Sequence, residues 1–154
     1  MARADKGSQR RGIMHSGSFP GEPRIMNWVH AIVVLALIEY LIFCILVGRA
    51  RAKYAIAAPA VSGNEMFERY FRVQQNTLEQ LIVFIPAILL FARYSSALWA
   101  AIIGAVFVLG RIIYAAGYIS APQRRGPGAG ISFICEVLLI LGALFGIVRS
   151  LMAA

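Results

Sequence analysis

The sequence predicts an all-α membrane protein built as a bundle of four transmembrane helices. The chain has 154 residues, of which 60% are hydrophobic and only 14% are charged, whereas soluble domains carry about 25% charged residues. Mean hydropathy is +0.73. Four apolar stretches are each long enough to cross a hydrocarbon layer of about 30 Å, which takes about 20 helical residues.

The spans are placed on these stretches, at residues 26–47, 66–93, 97–119 and 131–151. The first connection, 48–65, is basic at its start and contains Pro59 and Gly63. The second is a short turn at 94–96. The third, 120–130, is rich in Pro and Gly, and this composition predicts that no helix continues through it. With four spans, the two long basic connections share one membrane face, and both termini share the other.

Residues 1–25 differ from the rest of the chain. They combine scattered Arg and Lys with Gly and Ser, and they lack the apolar core of a signal peptide. We expect a disordered basic tail. The alternative is an upstream extension, with translation starting at Met26. In either case residues 26–154 form one four-helix domain.

The second span begins with a polar stripe. Glu68, Arg69, Arg72, Asn76 and Glu79 are three or four residues apart, which places them on one helical face. An ionisable group near the centre of a bilayer costs at least about 2.5 kcal/mol. The stripe is therefore expected to line a polar site rather than to face lipid.

A second polar face is predicted on the third span, where Arg111, Tyr114 and Tyr118 recur at helical spacing. Guanidinium, phenol, amide and carboxylate groups together suit a ligand with carboxylates, an amine and peptide groups. Alternatively, these groups bind one another between helices. That alternative suits Glu39 and Glu136, since Glu39 lies about as deep as Arg111 and can either pair with it or stay protonated.

The net charge of +8 points to an anionic partner. The basic residues border spans instead of forming a separate soluble face, so we expect no nucleic acid. Too few acids lie near the arginines at the basic connections to neutralise them all, which favours an external anion. Two isolated histidines without acidic or cysteine neighbours do not make a metal site, and we expect no metal.

The segment 67–79, FERYFRVQQNTLE, resembles the signature of the MAPEG family, the membrane-associated proteins in eicosanoid and glutathione metabolism. Its core is Glu-Arg-x-x-Arg-x-x-x-Asn-x-x-Glu, in which four spaced polar positions lie within an apolar helix. The resemblance extends over residues 26–154. It includes GRARAKY at 48–54, RIIYAAGY at 111–118 and QRR at 123–125.

This resemblance implies a homotrimer of four-helix subunits, with glutathione bound between adjacent subunits at the face of the long connections. Arg125 matches the arginine that activates the thiol, and the adjacent Arg124 leaves this assignment open by one residue. The implied glutathione contacts are Arg51, Arg72, Gln74, Asn76, Glu79, Tyr114 and Tyr118. Glu68, Arg69 and Arg111 are further candidates.

The sequence departs from the leukotriene synthase branch at two positions. Gln80 replaces a tyrosine, and Ala52 replaces the second arginine of a pair. Leukotriene synthesis is therefore not expected, and the chain is more similar to microsomal glutathione transferases and bacterial members. The implied activity is glutathione transfer to hydrophobic electrophiles, with glutathione-dependent reduction of lipid hydroperoxides as a further activity.

Two other functions stay open at this point. A non-enzymatic lipid-presenting protein would lack the thiol-activating arginine, and a channel or transporter subunit would use the stripe as a pore lining. Basic residues near the spans are more frequent on the side of the long connections, which predicts that this side is cytosolic. We expect a bacterial inner-membrane protein whose active face meets the cytosol.

Overall fold

The structure, a computed structural model, describes residues 24–153. It contains four long helices, α1 (Arg24–Tyr54), α2 (Glu65–Tyr94), α3 (Ala97–Ser120) and α4 (Gly126–Met152), and a short 3-10 helix (Pro122–Arg125) leads into α4. All four are long and apolar enough to span a membrane, which confirms the predicted class. The predicted tail, 1–25, lies outside the described residues except for its last two, which begin α1.

The third connection is much shorter than predicted. Helix α3 ends at Ser120, so no helix continues through 120–130, but residues 122–125 form the 3-10 helix and 126–130 already belong to α4. Only Ala121 lies between α3 and the 3-10 helix. Pro127 falls in the first turn of α4, where a missing N–H breaks no helical hydrogen bond. Gly128 is buried where an added Cβ would overlap the backbone of Tyr114. Its role is close packing of α4 on α3.

The first connection is also shorter than predicted. Helix α1 continues to Tyr54, so Arg51 lies in its last turn and the loop is reduced to residues 55–64. Asn64 caps α2 by accepting hydrogen bonds from the backbone N–H groups of Met66 and Phe67, at 3.0 and 3.2 Å. This cap sets the point at which the polar stripe begins.

Helices α2 and α3 form the centre of the bundle, because each packs against all three other helices. Between them the rings of Phe84 and Phe107 stack with centroids 3.9 Å apart. Gly104 of α3 is buried against Ile88 and Ile32, and a side chain there would overlap both. Small residues of this kind let membrane helices approach closely.

We call the end of the bundle that carries loop 55–64 and the 3-10 helix the loop-side end. There the guanidinium of Arg69 donates to the carbonyls of Ile119 and Ser120 at 3.0 and 3.1 Å, which fixes the start of α2 beside the end of α3. The outer surface is apolar, with large exposed side chains such as Leu41 and Phe145. Such a surface suits contact with lipid or with other subunits.

Candidate functional site

A row of neighbouring tyrosine and arginine side chains runs along α3 toward the loop-side end. The Arg111 guanidinium lies 4.2 Å from the centre of the Tyr114 ring, and the rings of Tyr114 and Tyr118 are 5.6 Å apart. The Arg125 guanidinium lies 5.6 Å from the centre of the Tyr118 ring. We call these four residues the α3 row. It connects the bundle interior to the arginine that precedes α4.

The α3 row meets the polar stripe of α2. The side-chain amide of Asn76 donates to the hydroxyl of Tyr114 at 2.5 Å, and Arg111 donates to the hydroxyl of Thr77 at 2.7 Å. The structure therefore brings the two predicted polar faces together, and Asn76 with Tyr114 is the contact between them.

An open groove of about 350 Å³ lies beside this contact. Phe133 of α4 supplies an apolar wall, and the polar lining consists of Asn76, Glu79, Gln80, Arg111 and Tyr114. Glu79 is exposed, and so is Arg72, two helical turns before it. Within residues 24–153 neither of these two side chains makes a hydrogen bond or an ion pair. Both charges are free to bind an external ligand.

Two predicted ligand contacts lie along α1 instead of this groove. Arg51 donates to the carbonyl of Ala60 at 2.7 Å and lies 4.8 Å from the centre of the Phe67 ring. Gln74 donates to the hydroxyl of Tyr40 at 2.6 Å. Within one chain the predicted contacts therefore form two groups, one on the α1 side and one on the α3 side.

Glu68 and Arg69 are occupied by contacts within the chain. The Glu68 carboxylate accepts from the backbone N–H of Gly63 at 3.0 Å and so holds the loop before α2. Arg69 binds the end of α3 and also pairs with Glu65 at 2.5 Å. Of the five residues in the predicted stripe, these two shape the loop-side end, whereas Asn76 and Glu79 line the groove. Arg72 is exposed one helical turn before Asn76.

Arg124 and Arg125 are both exposed in the 3-10 helix, but of these two only Arg125 lies over the Tyr118 ring and belongs to the α3 row. The backbone carbonyl of Arg124 lies where a side chain on Gly117 would otherwise be. This close approach seats the 3-10 helix on α3 and places Arg125 over Tyr118.

Arg111, a candidate contact in the sequence, is only 2% exposed and lies at the inner edge of the groove. Glu39 and Glu136, expected to be structural, are also buried. The sequence allowed a direct pair between Glu39 and Arg111, yet among the described residues no ion pair within 4.0 Å joins them.

A larger groove, of about 580 Å³, lies at the opposite end of the bundle between the α2–α3 turn and the end of α4. Aromatic side chains and Arg149 line it, and none of the predicted site residues does. We therefore place the candidate site at the smaller groove, where the polar groups converge.

Sequence reasoning missed several residues of the site. Tyr40 and Thr77 hold Gln74 and Arg111, and Phe133 forms the groove wall. Tyr40 and Thr77 are polar residues inside apolar spans, and this feature of the sequence could have identified them as partners of other polar groups. Phe133 carried none, because one aromatic residue in an apolar helix does not reveal which way it faces.

Comparisons with known proteins identify the family to which this chain is similar. The model of the MAPEG family matches residues 29–145. An uncharacterized protein of Synechocystis sp. is 49% identical over 124 residues, covering 80% of this chain and 90% of that protein. Human microsomal glutathione S-transferase 2 is 38% identical over 121 residues, covering 78% and 82%. Bovine leukotriene C4 synthase is 28% identical over 115 residues, covering 74% and 77%.

The family match covers the polar stripe of α2, the α3 row and the 3-10 helix alike. With four helices able to span a membrane, the match indicates an integral multi-pass membrane protein. The chain belongs to the MAPEG family.

Proposed function

We propose that this protein is a membrane-bound glutathione transferase that also reduces lipid hydroperoxides with glutathione. One observation carries the proposal: Glu79, which lines the groove where Asn76 meets Tyr114, and Arg72, one helical turn before Asn76, are exposed and unpaired within the described residues. Family membership and relatives named microsomal glutathione S-transferase and leukotriene C4 synthase support a glutathione-related function at the membrane.

Each group has a part of glutathione that it can bind. Glutathione is a tripeptide with two carboxylates and one amino group. Arg72 and Arg51 would hold the carboxylates, because a guanidinium donates two parallel hydrogen bonds to a carboxylate. Glu79 would accept from the amino group. Asn76, Tyr114 and the other polar contacts would bind the peptide groups.

The two groups of contacts support a site shared between subunits. Arg51 and Gln74 lie along α1, whereas Asn76 and Tyr114 lie between α2 and α3. A homotrimer would bring the α1 side of one subunit against the groove of the next. Glutathione would then be bound at the seam, and each seam would need residues from two subunits.

Arg125 would ionise the thiol. A free alkyl thiol has a pKa above neutrality, and only the thiolate is strongly nucleophilic. A guanidinium close to the sulfur favours the anion and lowers the pKa of the thiol. Arg125 is the arginine that the α3 row holds in place, which favours it over Arg124.

The second substrate would be hydrophobic and would enter from the lipid along the apolar outer surface. In transfer, the sulfur forms a bond to an electrophilic carbon, which gives up its leaving group or opens its ring. In reduction, two glutathione molecules are oxidised to the disulfide while the hydroperoxide becomes an alcohol and water. Both reactions start from the same thiolate. We place this site on the cytosolic face of a bacterial inner membrane.

The test is conjugation of glutathione to a hydrophobic electrophile by the protein purified in lipid nanodiscs. Arg72→Ala should raise the KM for glutathione about tenfold or more, the effect of losing one charged hydrogen bond to the ligand. Arg93→Ala is the matched control, since Arg93 is the exposed arginine at the other end of the same helix. No turnover and no glutathione binding by the wild-type protein would refute the proposal.

A further inference from the structure

Four polar side chains are buried in the interior of the bundle, one from each helix, and both glutamates lie within Coulombic range of Arg111. They are Glu39 of α1, Thr77 of α2, Arg111 of α3 and Glu136 of α4, and their exposed fractions are 7%, 1%, 2% and 4%. We call them the buried cluster. Arg111 joins the cluster to the groove, because it also lines the groove beside Tyr114.

The buried cluster is incompletely bonded. Arg111 donates to the hydroxyl of Thr77, which in turn donates to the carbonyl of Val73, both at 2.7 Å. The Nε of Arg111 and the Oε1 atoms of Glu39 and Glu136 are buried and have no hydrogen-bond partner in the described part of the chain. Leaving such groups unbonded in an apolar interior costs several kcal/mol each.

We propose that ordered water molecules occupy the buried cluster and join the Arg111 guanidinium to the carboxyl groups of Glu39 and Glu136. Buried waters usually make about three hydrogen bonds to polar groups that have no other partner. The guanidinium offers donors and the carboxyl groups offer acceptors. The groups are too far apart for a direct ion pair within 4.0 Å, and water bridges such separations.

The water-bridged buried cluster affects glutathione binding, and this part of the inference rests on the proposed function. Arg111 lies 4.2 Å from the centre of the Tyr114 ring, and the Tyr114 hydroxyl accepts from Asn76. Holding Arg111 from both sides fixes the ring and thereby the amide that faces the groove. Glu39 and Glu136 are thus positioning residues. They act on glutathione through Arg111 and Tyr114 without contacting it.

The test compares Glu39→Gln and Glu136→Gln with Glu65→Gln, the same chemical change at a position that is 78% exposed. Glutathione affinity should fall about tenfold in each buried variant and stay unchanged in the control. The maximal rate at saturating glutathione should change less than the affinity. Unaltered affinity, with lowered thermal stability alone, would mean a purely structural role and would overturn the inference.

A double-mutant cycle tests whether Glu39 acts on glutathione through Tyr114. In a Tyr114→Phe background, Glu39→Gln should weaken binding no further, because both changes release the same amide. Additive losses would overturn the route through Tyr114. If the buried variants do not fold, a high-resolution cryo-EM map of the wild-type protein tests for the bridging water molecules instead. Density bridging Arg111 to both carboxyl groups supports the inference, and its absence refutes it.

The wild-type protein separates this inference from the proposed function. Failure of the wild-type protein to bind glutathione refutes the proposed function and the positioning role. The water molecules in the buried cluster can still be tested in that case, because their density does not depend on a bound ligand. Tight binding by the wild-type protein and by all variants alike refutes the positioning role alone.

Discussion

Replacing Arg125 should raise the pKa of the bound glutathione thiol. A unit charge about 4 Å from the sulfur contributes between about 1 kcal/mol in water and about 4 kcal/mol near a protein surface. Arg125 is exposed, 5.6 Å from the centre of the Tyr118 ring, so solvent screening favours the lower half of this range. Since one pKa unit corresponds to about 1.4 kcal/mol, Arg125→Ala should raise the apparent pKa by about 1 to 2.

The assay is a pH titration of thiolate absorbance in the ultraviolet, on detergent-purified protein saturated with glutathione. The thiolate is the charged form, so losing a cation moves the titration to higher pH, and the absorbance lost near neutrality should return at alkaline pH. Arg124→Ala is the matched control and should titrate like the wild-type protein. An unchanged curve for Arg125→Ala, or a larger shift for Arg124→Ala, would refute the assignment.

Three further changes test the contacts around the site. Arg69→Ala should lower the free energy of unfolding by about 2 kcal/mol, because its two hydrogen bonds to α3 carbonyls are lost. The control, Glu65→Ala, removes only a surface ion pair worth up to about 1 kcal/mol. Equal shifts of the thermal unfolding temperature in the two variants would contradict the role of Arg69. Gly128→Ala should cost about 1 to 3 kcal/mol, since the added Cβ overlaps backbone. Gly130→Ala, which has open space in the same helix, should instead stabilise the protein by up to about 1 kcal/mol in the same assay. A Gly128→Ala variant as stable as the wild-type protein would refute the packing argument. Arg51→Ala should weaken glutathione binding in calorimetry without moving the thiol titration, and a shift like that of Arg125→Ala would contradict its assignment to a carboxylate.

The four spans could be predicted because apolar length is a local property of the sequence. The start of α4 could not be predicted in the same way. Gly128 and Pro127 are helix breakers by composition, yet the first turn of a helix tolerates proline, and a glycine is required where Tyr114 approaches. That requirement comes from how closely α3 packs against α4, and the sequence of the segment alone does not reveal it.

The candidate site could be predicted only in part, because its contacts also depend on how the helices pack. Helical spacing correctly brought Asn76 and Tyr114 onto facing surfaces. Spacing did not show that Arg69 is bound to the end of α3, or that Gln74 turns toward Tyr40. Each of these depends on which neighbouring helix lies closest, and a single helical face does not contain that information.

A cryo-EM structure of the protein in lipid nanodiscs with glutathione tests the central claim most directly. We predict a trimer with one glutathione at each seam, its carboxylates bound by Arg51 of one subunit and Arg72 of the next. The sulfur should lie against the guanidinium of Arg125. Glutathione density absent from the groove beside Asn76 and Tyr114, or a sulfur remote from every arginine, would contradict the account.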